Sequence, residues 1–258
     1  MSSSLDLGVT PSTAVLDEEG VTFEPHADRL AWPQMEACAR DDRKVWEIED
    51  GVLRQVQRFS ETTGWVRVLC PTATAPTVLV SGIPMHRIKN TDPLADTRAK
   101  IRAFGPVKGR VLDTATGLGY TAIEAAKLAS EVVTIELDPA AIDLARQNPW
   151  SQGLFEKDNI RQIVGDAYEE AAAFPPGSFS GVIHDPPTMS LGGELYSEEF
   201  YRHLKRLLAR RGRLFHYIGD PDSGLGKRLY PGIMRRLTSV GFTRVERHPE
   251  AFGLTALA

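Results

Sequence analysis

Along the first third of the chain the apolar positions come in short alternating runs broken by turn residues. Thr13–Leu16 is followed by Glu18-Glu19-Gly20, and Val45–Ile48 is separated from Val52–Val56 by Asp50-Gly51. Alternation with a period of two buries one face of a strand, and Asp-Gly between two such runs is a hairpin signal. Thr63-Gly64 then parts this region from Trp65–Leu69. The pattern predicts a small, mostly-β N-terminal domain over residues 1–92, with one short helix near Gln34–Ala39. From residue 93 the rhythm changes to strand-length apolar runs alternating with helix-length ones, the pattern of βαβ units and a parallel sheet. Strands are predicted at Arg110–Thr114, Val132–Glu136, Ile160–Val164, Gly181–Asp185, Arg213–Ile218, Thr243–Arg247 and Leu254–Leu257. Thr91-Asp92-Pro93 predicts a capped start for a helix running through Lys100 toward Phe104, so the second domain is expected to span 93–258.

Composition narrows this picture. A chain of 258 residues, 42% of them hydrophobic, has room for one catalytic domain and a smaller companion and is too apolar for general disorder. With 30 Lys+Arg against 34 Asp+Glu the net charge is −4, so no global positive field draws in nucleic acid. Arg206, Arg210, Arg211 and Arg213 form the nearest basic cluster, a stripe that more often marks the solvated side of a helix. Cys38 and Cys70 have neither CxxC nor Cys/His ligand spacing, so no metal site and no disulfide framework is expected. Met1–Asp6 lacks a basic segment followed by an apolar run, which makes the cytoplasm the expected location. The uncharged stretch Val68–His86 is interrupted by Pro71, Pro76 and Pro84 and reads as strands and turns, with no membrane association expected.

The candidate chemistry sits where strands end. Arg110-Val-Leu-Asp-Thr-Ala-Thr-Gly-Leu-Gly-Tyr-Thr-Ala122 leads from a strand into a helix across Gly117 and Gly119, and alone it also fits a dinucleotide-binding turn. Charge separates the two ligands. Asp113, at the carboxyl end of the strand, would repel a pyrophosphate and attract a ligand bearing an ammonium and a sulfonium. S-adenosylmethionine is therefore the expected cofactor, with Asp113, Gly117, Gly119, Tyr120 and Thr121 around it, and a side chain at Gly119 is expected to block the ligand's approach to the backbone. Glu136 ends the second strand at a spacing suited to a ribose diol, and Asp166 ends the third, where it could accept from an adenine amino group.

On Asp113-x-x-x-Gly117-x-Gly119, Glu136, Gly165-Asp166-Ala167 and His184-Asp185-Pro186-Pro187, residues 93–258 resemble a class I S-adenosylmethionine-dependent methyltransferase. The resemblance implies an α/β fold: a doubly wound, seven-stranded Rossmann-like methyltransferase domain whose last strand runs antiparallel. Asp138–Ala145 and Leu195–Leu208 also resemble spermidine-synthase-like aminopropyltransferases. The whole chain, including Asp6-Leu-Gly-Val-Thr and Met85-His-Arg, is most similar to a family of uncharacterised predicted archaeal-type methyltransferases. The segment after the fourth strand resembles the Asp/Asn-Pro-Pro-aromatic motif of enzymes that methylate amino groups on planar rings. It makes Asp185 and His184 the candidate catalytic residues, with Pro186 and Pro187 fixing the turn that aims them. Thr188 stands where the ring-stacking aromatic would be, which speaks against a flipped base. Glu194 lies on the following Gly-Gly loop, a candidate lid, and His86 lies where such proteins often fold a segment over the cofactor. The implied activity is methyl transfer to a nitrogen on a small molecule or a protein side chain. Aminopropyl transfer from decarboxylated S-adenosylmethionine and RNA methylation stay as alternatives, nucleic acid is not favoured as a partner, and self-association into a homo-oligomer stays open.

Overall fold

The runs Val111-Leu112, Val132-Val133 and Val182-Ile183 are apolar at consecutive positions, so both faces of these strands must be covered. In the computed structural model, which describes residues 1–24, 28–49 and 51–258, all six side chains are fully buried in a seven-stranded sheet. Its strands are β1 (Arg110–Asp113), β2 (Glu131–Glu136), β3 (Ile160–Val164), β4 (Phe179–His184), β5 (Leu208–Tyr217), β6 (Thr243–His248) and β7 (Gly253–Leu257). The order across the sheet is β3-β2-β1-β4-β5-β7-β6. Strands β1 to β5 run parallel, and β7 pairs antiparallel with both β5 and β6. Helix α1 (Pro93–Phe104) precedes the sheet, and α2 (Tyr120–Ala125), α3 (Pro139–Arg146), α4 (Ala167–Ala173), α5 (Glu198–Leu207) and α6 (Gly224–Ser239) fall between strands. The doubly wound, seven-stranded expectation holds.

Local signals explain the helix ends. Asp92 accepts from the Leu94 N–H at 3.0 Å at the start of α1. Ser197 accepts from Phe200 N at 3.1 Å and Ser223 from Gly226 N at 2.9 Å, satisfying amides that the first turns of α5 and α6 leave open. Helix α5 buries Phe200, Tyr201, Leu204 and Leu207, an apolar stripe at helical spacing that packs with Tyr230, Ile233 and Leu237 of α6 and with Leu112, Val182 and Leu214 of the sheet.

One strand differs from the sequence reading. β5 was expected to begin at Arg213 and begins at Leu208. Its first half pairs irregularly: Leu208 faces Phe179 while Arg213 faces Gly181, and Arg211 in between has a left-handed φ of 65°. A polar Ala-Arg-Arg-Gly insertion in a strand carries no hydrophobic alternation to reveal it.

The described chain forms two compact units, one of Met1–Leu94 with Ala140–Gln152, the other of Ala95–Pro139 with Gly153–Ala258. The first holds an antiparallel sheet of Ser2–Ser3, Ser12–Leu16, Gly20–Glu24 and Asp28–Ala31, followed by a helix at Trp32–Ala39. Ala14, Val21, Phe23 and Leu30 form its small core. The hairpin strands Trp46–Glu49 and Val52–Gln55 pair antiparallel, and Gly51 between them has a φ of 72°; Asp50 lies outside the described residues. A second antiparallel sheet runs in the order Ile83–Pro84, Thr77–Val80, Val66–Cys70, Gln57–Phe59. No helix among the described residues is long and apolar enough to cross a membrane.

Candidate active site

The order of strands reverses between β1 and β4, and ligands of open α/β sheets lie beyond the carboxyl ends of the strands at such a switch point. Asp113 pairs in register with Ile183, so Asp185 follows two residues beyond it on the neighbouring strand. The two carboxylates and the glycine turn thus share one edge of the sheet.

After β1 the chain turns through Thr114–Leu118 into α2, with Gly117 at a φ of 52° and Gly119 at 77°. A Cβ on Gly117 would meet no protein atom within 4 Å, whereas one on Gly119 would lie 2.8 Å from Leu154 Cδ2. Gly119 is therefore required by its left-handed backbone and by packing, and a larger residue there would disturb the start of α2 before it met any ligand. Glu136 closes the turn from β2: Oε2 accepts from Gly117 N at 2.8 Å and Oε1 from Asp138 N at 3.1 Å.

Asp113 is completely buried, and two threonine hydroxyls donate to one of its oxygens. Thr134 donates to Oδ2 at 2.8 Å and Thr121 at 3.3 Å, while Thr116 sits 2.6 Å from the Thr134 hydroxyl. Oδ1 has no hydrogen-bond partner among the described residues. Burial pushes the carboxyl pKa up to about 7; the threonine hydroxyls oppose this, and the Asp185 and Glu136 charges add to it. An orphaned oxygen on a carboxylate without a protein cation fits a site that a positively charged ligand completes. Tyr120, expected beside the cofactor, is 3% exposed in the first turn of α2. Asp166 caps α4, accepting from Tyr168 N at 2.7 Å.

At the other strand end, His184 and Asp185 point to opposite sides, as alternation along a strand requires. His184 is fully buried, with Nε2–H donating to the Leu195 carbonyl at 2.9 Å and Nδ1 accepting from Thr114 at 2.7 Å. Burial pushes its pKa down to about 3, so the ring is neutral. Its register partner His216 lies against it with ring centroids 4.4 Å apart and the planes tilted by 42°, accepts from the Tyr201 hydroxyl at 3.0 Å and donates to the His184 carbonyl at 3.3 Å. Both nitrogens of His184 are thus engaged inside the protein, where the neutral ring, expected as a catalytic candidate, ties the end of β4 to Thr114 and Leu195. The side chain of Asp185, in contrast, is 18% exposed and receives a hydrogen bond from Lys100 Nζ to Oδ2 at 2.6 Å. Lys100 is 2% exposed, lies 3.0 Å from Asp96 Oδ2 and sits 4.3 Å from the centre of the Tyr217 ring. Burial alone would lower the Lys100 pKa; the Asp185 and Asp96 carboxylates reverse this and hold it raised. Burial raises the Asp185 pKa above the usual carboxylate range, against the pull of Lys100.

Sequence reasoning did not single out Lys100 and Asp96. The available signal was their i, i+4 spacing on α1, which on an exposed helix would mean only a surface pair. Pro186 is buried; the Pro187 carbonyl accepts from the Tyr196 hydroxyl at 3.0 Å, fixing the turn after Asp185. Thr188 contacts Ser190 at 3.0 Å, and Glu194 is exposed at the start of the short helical turn Gly193–Tyr196. His86 belongs to the N-terminal unit, where Nδ1 lies 2.9 Å from the Thr77 hydroxyl. The arginine cluster is not one solvated helix face: Arg206 donates to the carbonyls of Ala171, Ala172 and Phe174 at the end of α4, and Arg213, on β5, to that of Phe104 at the end of α1.

Comparisons with known proteins fit this geometry. Residues 111–212 match the methyltransferase domain family. The chain is 43% identical over 242 residues to the uncharacterised protein MJ1233 of Methanocaldococcus jannaschii, covering 93% of this chain and 82% of that one. It is 32% identical over 146 residues to polyamine aminopropyltransferase 2 of Streptomyces coelicolor, a match spanning 53% of this chain and only 26% of that protein. A spermidine synthase solved in complex with the transition-state analogue AdoDATO shares the fold, with a TM-score of 0.64 at 20% identity over 84% of this chain and 79% of that one. By the extent of the MJ1233 match this chain and MJ1233 belong to one family, and this chain carries a methyltransferase domain over residues 111–212.

Proposed function

We propose that the protein transfers the methyl group of S-adenosylmethionine to a nitrogen nucleophile on a small molecule or a protein side chain. The observation that carries this reading is the pair of unlike carboxylates at the switch point: Asp113 is buried without a cation, and Asp185 is partly exposed and held by Lys100. When bound, the cofactor supplies a methyl group on a sulfonium, whose sulfur leaves as a neutral thioether when a nitrogen lone pair takes the carbon. Asp113 and Glu136 would hold it, the first facing its positive charge and the second its ribose hydroxyls, with Gly117 leaving space for its approach. Asp185 acts on the nucleophile. Lys100 engages Oδ2, so Oδ1 is the oxygen that accepts an N–H hydrogen bond and turns the lone pair away from the carboxylate. Its raised pKa suits it to take the proton released as the new N–C bond forms. Most of the rate comes from orientation, supplied by a strand end, two prolines and an ion pair.

A second reading, aminopropyl transfer, is supported by the Streptomyces coelicolor match. Decarboxylated S-adenosylmethionine carries one more positive charge and favours a site richer in uncompensated acid. Lys100 offsets one of the two carboxylates that flank it, which favours the carboxylate-bearing cofactor. RNA methylation finds less support, since Arg206 and Arg213 are committed to backbone carbonyls and Thr188 offers no ring for stacking. Titration calorimetry with both cofactors, followed by turnover on a panel of primary and secondary amines, tests the proposal. Tighter binding of S-adenosylmethionine together with N-methyl products supports it; preference for the decarboxylated form with aminopropylated products overturns it.

A further inference from the structure

The ammonium of Lys100 is almost sealed from water, a costly arrangement unless it is paired, and a buried ion pair is poor evidence for a purely stabilising role. Its surroundings come from separate elements. Asp96 lies on its own helix, Asp185 follows β4, and the Tyr217 ring comes from β5. The register His184↔His216 explains why the last two meet there: with the histidines on one side of the sheet, the next residue of each strand, Asp185 and Tyr217, turns to the other. Helix α1 is fixed at both ends, by Asp92 at its first turn and by Arg213, which donates to the Phe104 carbonyl at 2.9 Å. The ammonium is thus a fixed point, and it touches only one oxygen of a carboxylate whose remaining surface is the exposed part of the cluster.

We infer that Lys100 is a positioning residue for Asp185, holding Oδ2 so that Oδ1 stays turned toward the nucleophile and setting a fixed positive charge beside the carboxylate. This rests on the reading of Asp185 as the group that accepts the nucleophile's proton. The groups acting on Asp185 are Lys100 and Asp96 from α1, Tyr196 from the turn Gly193–Tyr196 and Asp113 from β1, while Tyr217 from β5 faces the Lys100 ammonium. Lys100 is the cation among them. Asp96 opposes it: its charge raises the Asp185 pKa, and Lys100 lowers it.

Two substitutions therefore shift the same group in opposite directions, which a merely structural role would not do. In Lys100→Met the Asp185 titration moves to higher pH by about one to three units, and in Asp96→Asn it moves to lower pH. The measurement is the carboxyl titration of Asp185 by carbon NMR in the cofactor-free full chain, beside the pH profile of kcat with saturating S-adenosylmethionine. The acidic limb of kcat is expected to follow the carboxyl shift in each variant, with kcat of Lys100→Met at pH 7 lowered by about 30-fold or more and cofactor Kd changed by less than about threefold. Should Lys100→Met fail to fold, Asp96→Asn alone decides through the downward shift. An unchanged titration and profile in a folded variant overturns the inference. Opposite carboxyl shifts in the two variants, together with a wild-type protein that methylates no amine, overturn the methyl-transfer reading instead and leave the coupling of Lys100 to Asp185 standing.

Discussion

The ends of β1 and β4 lie side by side, and each presents a carboxylate withdrawn from water, yet the two are stabilised by opposite means. Asp113 accepts from two hydroxyls and pairs with no cation among the described residues, and its pKa is pushed up to about 7. Asp185 has its cation built in, at 2.6 Å. A site that leaves one acid uncompensated waits for charge from a ligand, whereas a site that supplies its own lysine keeps its acid ready for a neutral or proton-donating group. On the proposed reading, the β1 end takes a cationic cofactor and the β4 end the nucleophile.

The sharpest test of that division is Asp185→Ala, expected to lower turnover by about 10²- to 10⁴-fold while cofactor affinity changes by less than about tenfold. Asp185→Asn should retain more activity than alanine, since an amide oxygen still accepts an N–H hydrogen bond. Paired single-turnover and calorimetric measurements decide, and loss of cofactor binding in step with turnover would erase the distinction between the two strand ends.

Asp113→Asn is expected to act the other way, weakening S-adenosylmethionine binding by about 1.5–3 kcal/mol at pH 8. Because the ionised carboxylate is the binding form, wild-type affinity should climb by up to about tenfold per unit as pH rises toward 7 and flatten above it, and the asparagine variant should lack that climb. The sign for stability is the reverse. An acid whose folded pKa lies above its unfolded value favours folding most below the unfolded value, and that contribution is lost as pH rises through the folded one. The cofactor-free wild type should therefore lose more melting temperature between pH 5 and pH 8 than Asp113→Asn does, as followed by circular dichroism.

Smaller effects sharpen the β1 side. Glu136→Ala should weaken cofactor binding by about 1–3 kcal/mol through lost ribose hydrogen bonds and a loosened Gly117 amide. Gly117→Ala, whose new methyl meets no protein atom within 4 Å, should cost about 1–2 kcal/mol of stability for its left-handed backbone yet still reduce cofactor affinity in a titration. Equal affinity in that variant would remove the turn from the cofactor's path.

The sheet was legible because its central strands are unbroken apolar runs and its turns contain glycine. Asp113, Glu136 and Asp185 stood out as candidates because they end such runs. Alternation places His184 differently: it applies to His184-Asp185 as strictly as to His216-Tyr217, and the two members of each pair face opposite sides of the sheet. Lys100 was invisible for another. A lysine at a helix position reads as solvated in a hydrophobic pattern, and its burial depends on Asp185 and Tyr217, residues 85 and 117 positions away that only the assembled sheet brings to it. The early start of β5 escaped because an Arg-Arg-Gly insertion interrupts its alternation.

The crossover after β2 contributes Ala140–Gln152 to the N-terminal unit, where Trp150 Nε1 donates to the Leu7 carbonyl at 3.0 Å and Gln147 to Glu47 at 2.8 Å. This gives the chain an order of synthesis that its order of folding cannot copy. On the ribosome, where domains otherwise fold as they emerge, the bonds of Trp150 to Leu7 and of Gln147 to Glu47 can form only after residues 147–152 have left the exit tunnel, by which time β1 and β2 have also been made. A fragment ending at residue 94 lacks the Trp150 and Gln147 anchors however long it is given to fold, and the part made first is finished only with help from the part made later.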